Sequence, residues 1–378
     1  MAIVAGAVVA VVLTAAPVTR ATAAAGEWPC FQGSPAHVGI AAEFAPPLET
    51  AWTVDLRESV YASPVWDGGR AYVVTEKGTV NAILPDGRTA WKVKVDGMVY
   101  ASTPTVADGR LYFGVVRNRP KSGALYCLSA ADGATLWSKS VDGHVFSSPL
   151  LAGGMVVFGS DDWNVYALDA ADGRELWRFR TGGEIHDNAA AASGDNLIIG
   201  SRDRHLYALK ASSGALVWKF RGRKRFNTTP AVDGAEVFVG EEDGTFYALS
   251  AETGGTLWTW RSPEPIVATP AVLHDRVIVA STDGVVTSLS RRGERQWRFL
   301  TGSHVVAPPV VAGGWVYTGA IDTLGILDQY FYALNISTGE PAWKMKLVGP
   351  LFAAPAPADG LLIVAAKKGR VYGLKRKG

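Results

Sequence analysis

The chain has 378 residues, of which 48% are hydrophobic and 19% are charged, and its formal net charge is +2. This composition excludes a disordered chain, and the near-neutral charge provides no whole-molecule field that would attract nucleic acid. We therefore expect a folded protein with a large apolar core that does not bind nucleic acid.

The first segment of the chain, residues 1–25, is mostly Ala and Val and ends in a run of small residues after Arg20. This pattern predicts a secretory signal cleaved between Ala23 and Gly26, and therefore an extracytoplasmic protein. A short membrane anchor is the alternative, although a spanning helix needs roughly 20 apolar residues. A start further upstream is also left open, because no basic region precedes the apolar stretch. Cys30 does not directly follow the small residues, so no lipid anchor is expected.

After an extended lead-in at residues 26–50, the chain consists of repeats. Eight tryptophans recur 39 to 46 residues apart, at Trp52, Trp91, Trp137, Trp177, Trp218, Trp258, Trp297 and Trp343. Each period holds four short apolar stretches separated by turn residues, as in Ser148–Trp177. Such a unit predicts a four-stranded antiparallel sheet, and a period of about 40 residues is typical of a propeller.

The number of repeats predicts how the ring closes. Eight copies of a Tyr-Ala-Leu-like triplet are present, but the last repeat ends at Gly378 without its own Trp strand. The segment Ala51–Val54, around Trp52, precedes the first complete repeat. We expect it to pair with the strand around Tyr372, because closure removes two exposed sheet edges. The prediction is one all-β, eight-bladed propeller over residues 51–378.

The repeats resemble a known family. The run Ala167–Trp177 is similar to the tryptophan-docking motif of the pyrroloquinoline-quinone-like, or quinoprotein, repeat. Trp28–Gly33, followed by Ala36–Gly39, is similar to the signature that often precedes such repeats. The resemblance covers roughly residues 27–378, and it implies that each repeat Trp packs on a glycine of the neighbouring motif.

Enzymes with this repeat hold a quinone between a Trp face and a disulfide of adjacent cysteines, with Glu, Asn and Asp around a calcium ion. Cys30 and Cys127 are far apart in this sequence, and no Glu/Asn/Asp set matches by position. Cys127 occupies the Ala position of its triplet, which predicts a buried thiol, with a Cys30–Cys127 bridge as the alternative. The six histidines do not pair at metal-ligand spacing. We expect no catalytic residue, cofactor or metal, with a quinone oxidoreductase as the alternative.

Departures from the repeat predict a binding surface. The connections into each innermost strand, and the turns between second and third strands, should share one side of the ring, here called the loop-rich face. Candidate partner-binding residues on that face are Trp163, His186, Asp187, Asn188, Arg202, Arg204, Arg223, Lys224, Arg225 and Asn227. Two insertions add Arg117, Arg119, Leu324, Ile326 and Leu327.

Three interpretations of this face remain open. Long loops on a rigid scaffold often carry function, and we expect a protein partner with an acidic surface near the basic residues. A small anionic ligand at His186, Asn188 and Arg225 is the alternative, as are insertions without a partner.

Among non-enzymatic proteins with this repeat, the chain resembles BamB-type proteins, eight-bladed lipoproteins of outer-membrane assembly. This resemblance implies a periplasmic interaction scaffold, which we expect to be monomeric and to meet the membrane only through a partner. An extracytoplasmic ligand sensor or cell-surface domain is the alternative.

Overall fold

The computed structural model describes residues 27–41, 44–186, 189–226, 228–321 and 329–378. The predicted signal at residues 1–25 lies outside them. Within the described residues, no helix is long and apolar enough to cross a bilayer. A short 3-10 helix spans Phe31–Gly33.

The described strands form eight sheets, which are the blades of the propeller. The N-terminal part of the described chain contributes β1 (Ile40–Ala41) and β2 (Leu48–Asp55). Blades 1 and 2 contain β3 (Val65–Asp67), β4 (Arg70–Val74), β5 (Thr79–Ile83), β6 (Thr89–Lys94), β7 (Thr105–Ala107), β8 (Arg110–Asn118), β9 (Lys121–Ser129) and β10 (Thr135–Val141). Blades 3 and 4 contain β11 (Leu150–Ala152), β12 (Met155–Gly159), β13 (Asn164–Asp169), β14 (Glu175–Arg180), β15 (Ala191–Ser193), β16 (Asn196–Gly200), β17 (His205–Lys210) and β18 (Leu216–Arg221). Blades 5 and 6 contain β19 (Ala231–Asp233), β20 (Glu236–Gly240), β21 (Thr245–Ser250), β22 (Thr256–Arg261), β23 (Ala271–Val272), β24 (Arg276–Ala280), β25 (Val285–Ser290) and β26 (Arg295–Leu300). Blades 7 and 8 contain β27 (Val310–Ala312), β28 (Trp315–Gly319), β29 (Tyr330–Asn335), β30 (Pro341–Lys346), β31 (Ala356–Ala358), β32 (Leu361–Ala365) and β33 (Arg370–Arg376).

Burial along each strand follows its place in the blade. The middle strands β12 and β13 are buried almost throughout, because neighbouring blades cover both of their faces. The outer strand β14 instead alternates between more and less exposed residues. The apolar core is therefore divided among the blade interfaces, and the cluster between blades 8 and 1 includes Ile363 and Val73.

The two ends of the chain close the ring, as predicted. Strand β2 pairs antiparallel with β33, with Thr53 opposite Tyr372 and Trp52 opposite Gly373. Blade 8 has Gly373 at the position where most other triplets have Ala, and a Cβ there would come within 2.1 Å of the Trp52 ring. Blade 8 is thus built from both ends of the chain.

Seven repeat tryptophans dock on the next blade in the ring. Each ring packs on a turn glycine, and each indole N–H donates to a nearby backbone carbonyl. The acceptors for Trp52, Trp91, Trp137, Trp177, Trp218, Trp258 and Trp297 are the carbonyls of Pro85, Ala130, Ala170, Ala211, Ala251, Arg291 and Ile336. The bond satisfies the one polar atom of a large apolar ring.

Trp343 departs from this pattern. Its ring packs against Phe331, with centroids 6.3 Å apart. Within the described residues its indole N–H has no acceptor. The physical reason is ring closure: blade 8 takes its outer strand from the N-terminal side of the chain, so no hairpin turn joins its last two strands. The expectation that Trp343 docks like the others is therefore wrong.

The lead-in lies along the inner edges of the innermost strands, which face the central channel. Its carbonyls accept N–H groups from six blades. The donors are Trp66, Val106, Ala192, Val232, Val272 and Val311, and the acceptors are Trp28, Pro29, Pro35, Ala36, Val38 and Gly39. In blade 8 the equivalent residue is Pro357, which has no N–H to donate.

Buried side chains reinforce this contact between the lead-in and the ring. Gln32 is completely buried, and its amide donates to the carbonyl of Pro309, 3.3 Å away. His37 is also buried, with Nε2 2.9 Å from the carbonyl oxygen of Ala190.

The insertion in blade 2 is a longer hairpin rather than a loop. Strands β8 and β9 continue their ladder to the pair Asn118 and Lys121, with Arg119 and Pro120 at the turn. The insertion that carries Arg117 and Arg119 is therefore not an irregular loop, because backbone pairing extends through it. The insertion in blade 7, residues 322–328, lies outside the described residues.

Candidate functional site

Two turns of the loop-rich face carry bulky residues in a backbone conformation suited to glycine. Between second and third strands, blades 1, 5, 6 and 8 place glycines with φ between 79° and 82°. At the same position blade 3 has Trp163, with φ 75°, and blade 4 has Arg204, with φ 72°. A residue with a Cβ is strained in this region by about 1–2 kcal/mol. The turn does not require these side chains, so Trp163 and Arg204 are candidates for a functional role.

Trp163 is prominent on this face because 42% of its surface is exposed. The guanidinium of Arg180 lies 5.1 Å from its ring centroid, which is a cation–π contact. Trp163 therefore presents an aromatic face already associated with a positive charge.

A basic cleft lies between blades 4 and 5 on the loop-rich face. Its volume is about 410 Å³, and its lining residues are Arg202, Arg204, Lys224, Arg225 and Glu242. The first two come from the turn after β16, and the next two from the connection between β18 and β19. The fold thus brings together four of the predicted partner-binding residues.

The charges of the basic cleft are only partly neutralised. Arg202 donates to Glu184, with Nη1 3.1 Å from Oε2. Among the described residues, no carboxylate forms an ion pair with Arg204, Lys224 or Arg225, and these three side chains are exposed. Unpaired cations at the rim of a cleft attract an anionic group and steer its approach.

A buried carboxyl group lies beneath the connection that carries these cations. Glu241 is completely buried, its Oε2 accepts a hydrogen bond from the Tyr247 hydroxyl at 3.2 Å, and its Oε1 has no partner in the described structure. Burial raises the pKa of Glu241 to about 7, and the nearby charge of Asp243 adds to this effect. Backbone N–H groups of Arg223 and Lys224 oppose it. Glu241 is therefore a titratable group close to the backbone of the connection that carries Lys224 and Arg225.

His186 lies outside the basic cleft. Its Nδ1 is 2.8 Å from Oδ1 of Asp161, and its ring centroid is 4.0 Å from that of Phe146. The anionic-ligand alternative required His186 beside Arg225. The structure does not place His186 among the residues that line the cleft.

His186 belongs instead to an aromatic half-ring around the channel mouth. Its members are Phe352, Tyr61, Tyr100, Phe146 and His186, with successive centroids 5.5, 5.9, 6.1 and 4.0 Å apart. The ammonium of Lys367 lies 5.0 Å from the Tyr61 centroid and 5.3 Å from the Phe352 centroid. This arrangement offers flat apolar faces next to one cation.

The remaining predicted residues are separate from the cleft. Arg223 is exposed but does not line it. Arg117 is paired with Asp96 of the connection between blades 1 and 2, with Nε 2.9 Å from Oδ2, whereas Arg119 is exposed at the hairpin turn. Six predicted residues lie outside the described part of the chain: Asp187, Asn188, Asn227, Leu324, Ile326 and Leu327.

The cysteines do not provide the disulfide that holds a quinone in the related enzymes. Cys30 and Cys127 are both free and buried, the first in the lead-in and the second in β9. The alternative of a bridge between them is wrong. Burial raises the pKa of the Cys30 thiol to about 12. The residues present at these positions therefore do not fit the quinone as those enzymes bind it.

A family model described as "Outer membrane protein assembly factor BamB" matches residues 44–119, 85–219, 161–297 and 282–378. These matches together extend over the whole propeller. The chain belongs to this family.

Solved structures share the fold of this BamB family member. BamB from Moraxella catarrhalis is 20% identical, with a TM-score of 0.74 over 88% of this chain and 98% of that chain. Quinohemoprotein alcohol dehydrogenase from Comamonas testosteroni is 14% identical, with a TM-score of 0.78 over 95% of this chain and 82% of that chain. A computationally designed protein, Ika8, is 16% identical, with a TM-score of 0.74 over 85% of this chain and 97% of that chain. No curated protein matches the chain. The propeller is thus shared by BamB and by quinoprotein dehydrogenases, and at these identities the likeness establishes the fold alone.

Sequence reasoning missed several polar residues of the loop-rich face, namely His144, Asp161, Glu184 and Glu241. Glu241 had a signal, because other blades have Thr75, Ser160, Ser201 or Ser281 at that position. The first three carry no such signal, since their association depends on contacts between blades.

Proposed function

We propose that this protein is a non-enzymatic extracytoplasmic scaffold that binds an acidic surface of a partner protein through the basic cleft. The observation that carries this proposal is the convergence of Arg204, Lys224 and Arg225 without carboxylate partners in the described structure. The positive charges of these three side chains repel one another, and carboxylates of a partner would neutralise that repulsion. The strained backbone at Arg204 fits a functional use of its side chain.

Membership of the BamB family supports an assembly role in the cell envelope, with the outer membrane reached through the partner. On this proposal the protein acts as a monomer. Trp163 and Arg223 extend the contact beyond the cleft, since aromatic and arginine side chains commonly anchor interfaces.

The test is a charge reversal with a matched control. The cleft variant carries Arg204→Glu, Lys224→Glu and Arg225→Glu. The control variant carries Lys219→Glu, Arg295→Glu and Arg298→Glu, and these three cations are exposed on outer strands. Tagged protein captures partners from an envelope fraction, and affinity is then measured with the purified partner. We expect the cleft variant to bind at least about tenfold more weakly and with a smaller salt dependence. Equal binding by both triple variants contradicts the proposal.

A small-ligand sensor is a second candidate, favoured by the aromatic half-ring and Lys367. Flat rings beside one ammonium suit a planar anionic compound. A thermal-shift screen with wild type and Phe146→Ala tests this function. A compound that stabilises only the wild type supports sensing, whereas the absence of any such compound leaves the scaffold as the better account.

The enzymatic alternative has its own test. A ligand at 100 times its dissociation constant stabilises a protein by about 2.7 kcal/mol. We expect pyrroloquinoline quinone with calcium to leave the unfolding temperature unchanged, because the adjacent cysteines are absent. A clear upward shift contradicts a non-enzymatic role.

A further inference from the structure

A cluster of imidazole and carboxylate groups lies between blades 3 and 4 on the loop-rich face. Asp161 follows β12, and its side chain is only 4% exposed. Glu184 and His186 come from the connection between β14 and β15. One possible ligand atom from each of the three lies within 4.8 Å of the others.

His144 joins this cluster from the connection between blades 2 and 3. Its Nδ1 is 3.7 Å from Oδ2 of Asp161, while His186 contacts the other carboxylate oxygen. The Nε2 atom of His144 is buried, and it has no hydrogen-bond partner among the described residues. The His144 ring can therefore turn either nitrogen toward the cluster without breaking a hydrogen bond at Nε2.

We propose that Asp161, Glu184 and His186 bind one divalent transition-metal ion, with His144 beside them as a further nitrogen donor. The donor set decides the class of ion. A mixture of imidazole nitrogen and carboxylate oxygen suits Zn²⁺, Co²⁺ or Ni²⁺, whereas Ca²⁺ and Mg²⁺ prefer oxygen ligands alone.

The geometry is close to what such an ion needs. Bonds of about 2.1 Å place two ligand atoms no more than about 4.2 Å apart. Side-chain rotations that move the donor atoms by less than about 1 Å therefore bring all three groups onto one ion. The two carboxylates balance the double positive charge in a mostly buried place.

The metal competes with Arg202 for Glu184. Arg202 now donates to Oε2 of Glu184, and this contact is broken when that carboxylate coordinates the ion. Arg202 also lines the basic cleft. Metal binding therefore releases a guanidinium toward the cleft. The metal site goes beyond the proposed scaffold function and does not depend on it.

The experiment is metal titration of the full chain after removal of bound ions with a chelator. Calorimetry with Zn²⁺ and Co²⁺ is compared with Ca²⁺ and Mg²⁺, and Co²⁺ absorption reports the ligand geometry. We expect one Zn²⁺ per chain at micromolar or lower dissociation constant, an increase in the unfolding temperature, and no response to Ca²⁺ or Mg²⁺.

Variants separate this site from incidental binding. We expect His186→Gln and Glu184→Gln each to weaken Zn²⁺ binding at least about tenfold, and Arg202→Ala to strengthen it. His205→Gln is the matched control, because His205 pairs with Asp203 on the same face, with Nδ1 3.4 Å from Oδ1. Unchanged affinity in His186→Gln, or equal losses in His205→Gln, overturns the proposal. Glu184 is partly exposed, so its variant provides a test even if one at buried Asp161 fails to fold.

Discussion

Trp177 donates its indole N–H to the carbonyl of Ala211 at 2.8 Å, and this bond joins blade 3 to blade 4. The same relationship recurs at six other blade boundaries but is missing at Trp343. The chain thus contains a natural comparison between docked and undocked tryptophans.

We expect Trp177→Ala to lower the free energy of unfolding by about 3–5 kcal/mol, because it removes a large packed ring and leaves a cavity. Trp343→Ala should cost at least about 1 kcal/mol less, since its indole makes no such hydrogen bond. Urea unfolding of both variants measures the difference. Equal losses would show that docking contributes nothing beyond ring burial.

Because the turn of blade 4 is strained at Arg204, we expect a glycine there to stabilise the fold and to weaken partner binding. Arg204→Gly should raise the free energy of unfolding by up to about 1 kcal/mol, because glycine adopts this φ without strain. It should also weaken binding of the proposed partner. Gly244→Ala at the same position in blade 5 should destabilise, since its Cβ would lie 2.4 Å from the Ser262 carbonyl oxygen. A destabilised Arg204→Gly is the contrary result.

Because the pKa of Glu241 is raised in the folded protein, we expect the stability of the protein to depend on pH. This pKa, about 7 in the folded protein, is higher than the group's ordinary value of 4.5, so between these values the folded state binds more protons than the unfolded state. This group's contribution to stability is therefore greatest below pH 4.5 and is lost as pH rises through about 7.

We expect Glu241→Gln to remove that dependence and to stabilise the protein at pH 8 by about 1–3 kcal/mol, since no charge is then buried at this position. Unfolding of wild type and variant at pH 5 and pH 8 measures this. The neighbouring Glu242→Gln, which is exposed, is the control. Parallel pH profiles for wild type and Glu241→Gln would contradict the assignment.

Because carbonyl groups of the lead-in accept hydrogen bonds from the ring, we expect the lead-in to protect particular backbone amides from hydrogen exchange. In a chain lacking residues 27–41, the N–H groups of Val106, Val232 and Val272 lose their carbonyl acceptors. Hydrogen exchange at these amides should accelerate at least about tenfold, whereas Phe246 in the middle of blade 5 should stay protected. Unchanged exchange at the three amides would mean that the lead-in does not protect the ring.

The sequence predicts the scaffold of this protein more fully than the contacts on its surface. Blade number and the pairing of β2 with β33 followed from the repeat, because Trp52 precedes the first complete unit and the last unit lacks its own tryptophan. The exception at Trp343 did not follow from the repeat. It depends on the turn that closure removes from blade 8, which is a property of the ring and not of the local motif.

The sequence by itself determined the fold, because strand alternation and turn glycines act over a few neighbouring residues and recur with a period of about 40 residues. Only the tertiary structure decided which side chains meet. Arg202 and Arg204 reach Lys224 and Arg225 across a blade boundary, and Asp161 reaches His144 and His186 from different connections. The physical reason is that each innermost strand begins beside its neighbours around one channel. Residues from separate repeats therefore converge at a mouth that no single repeat contains.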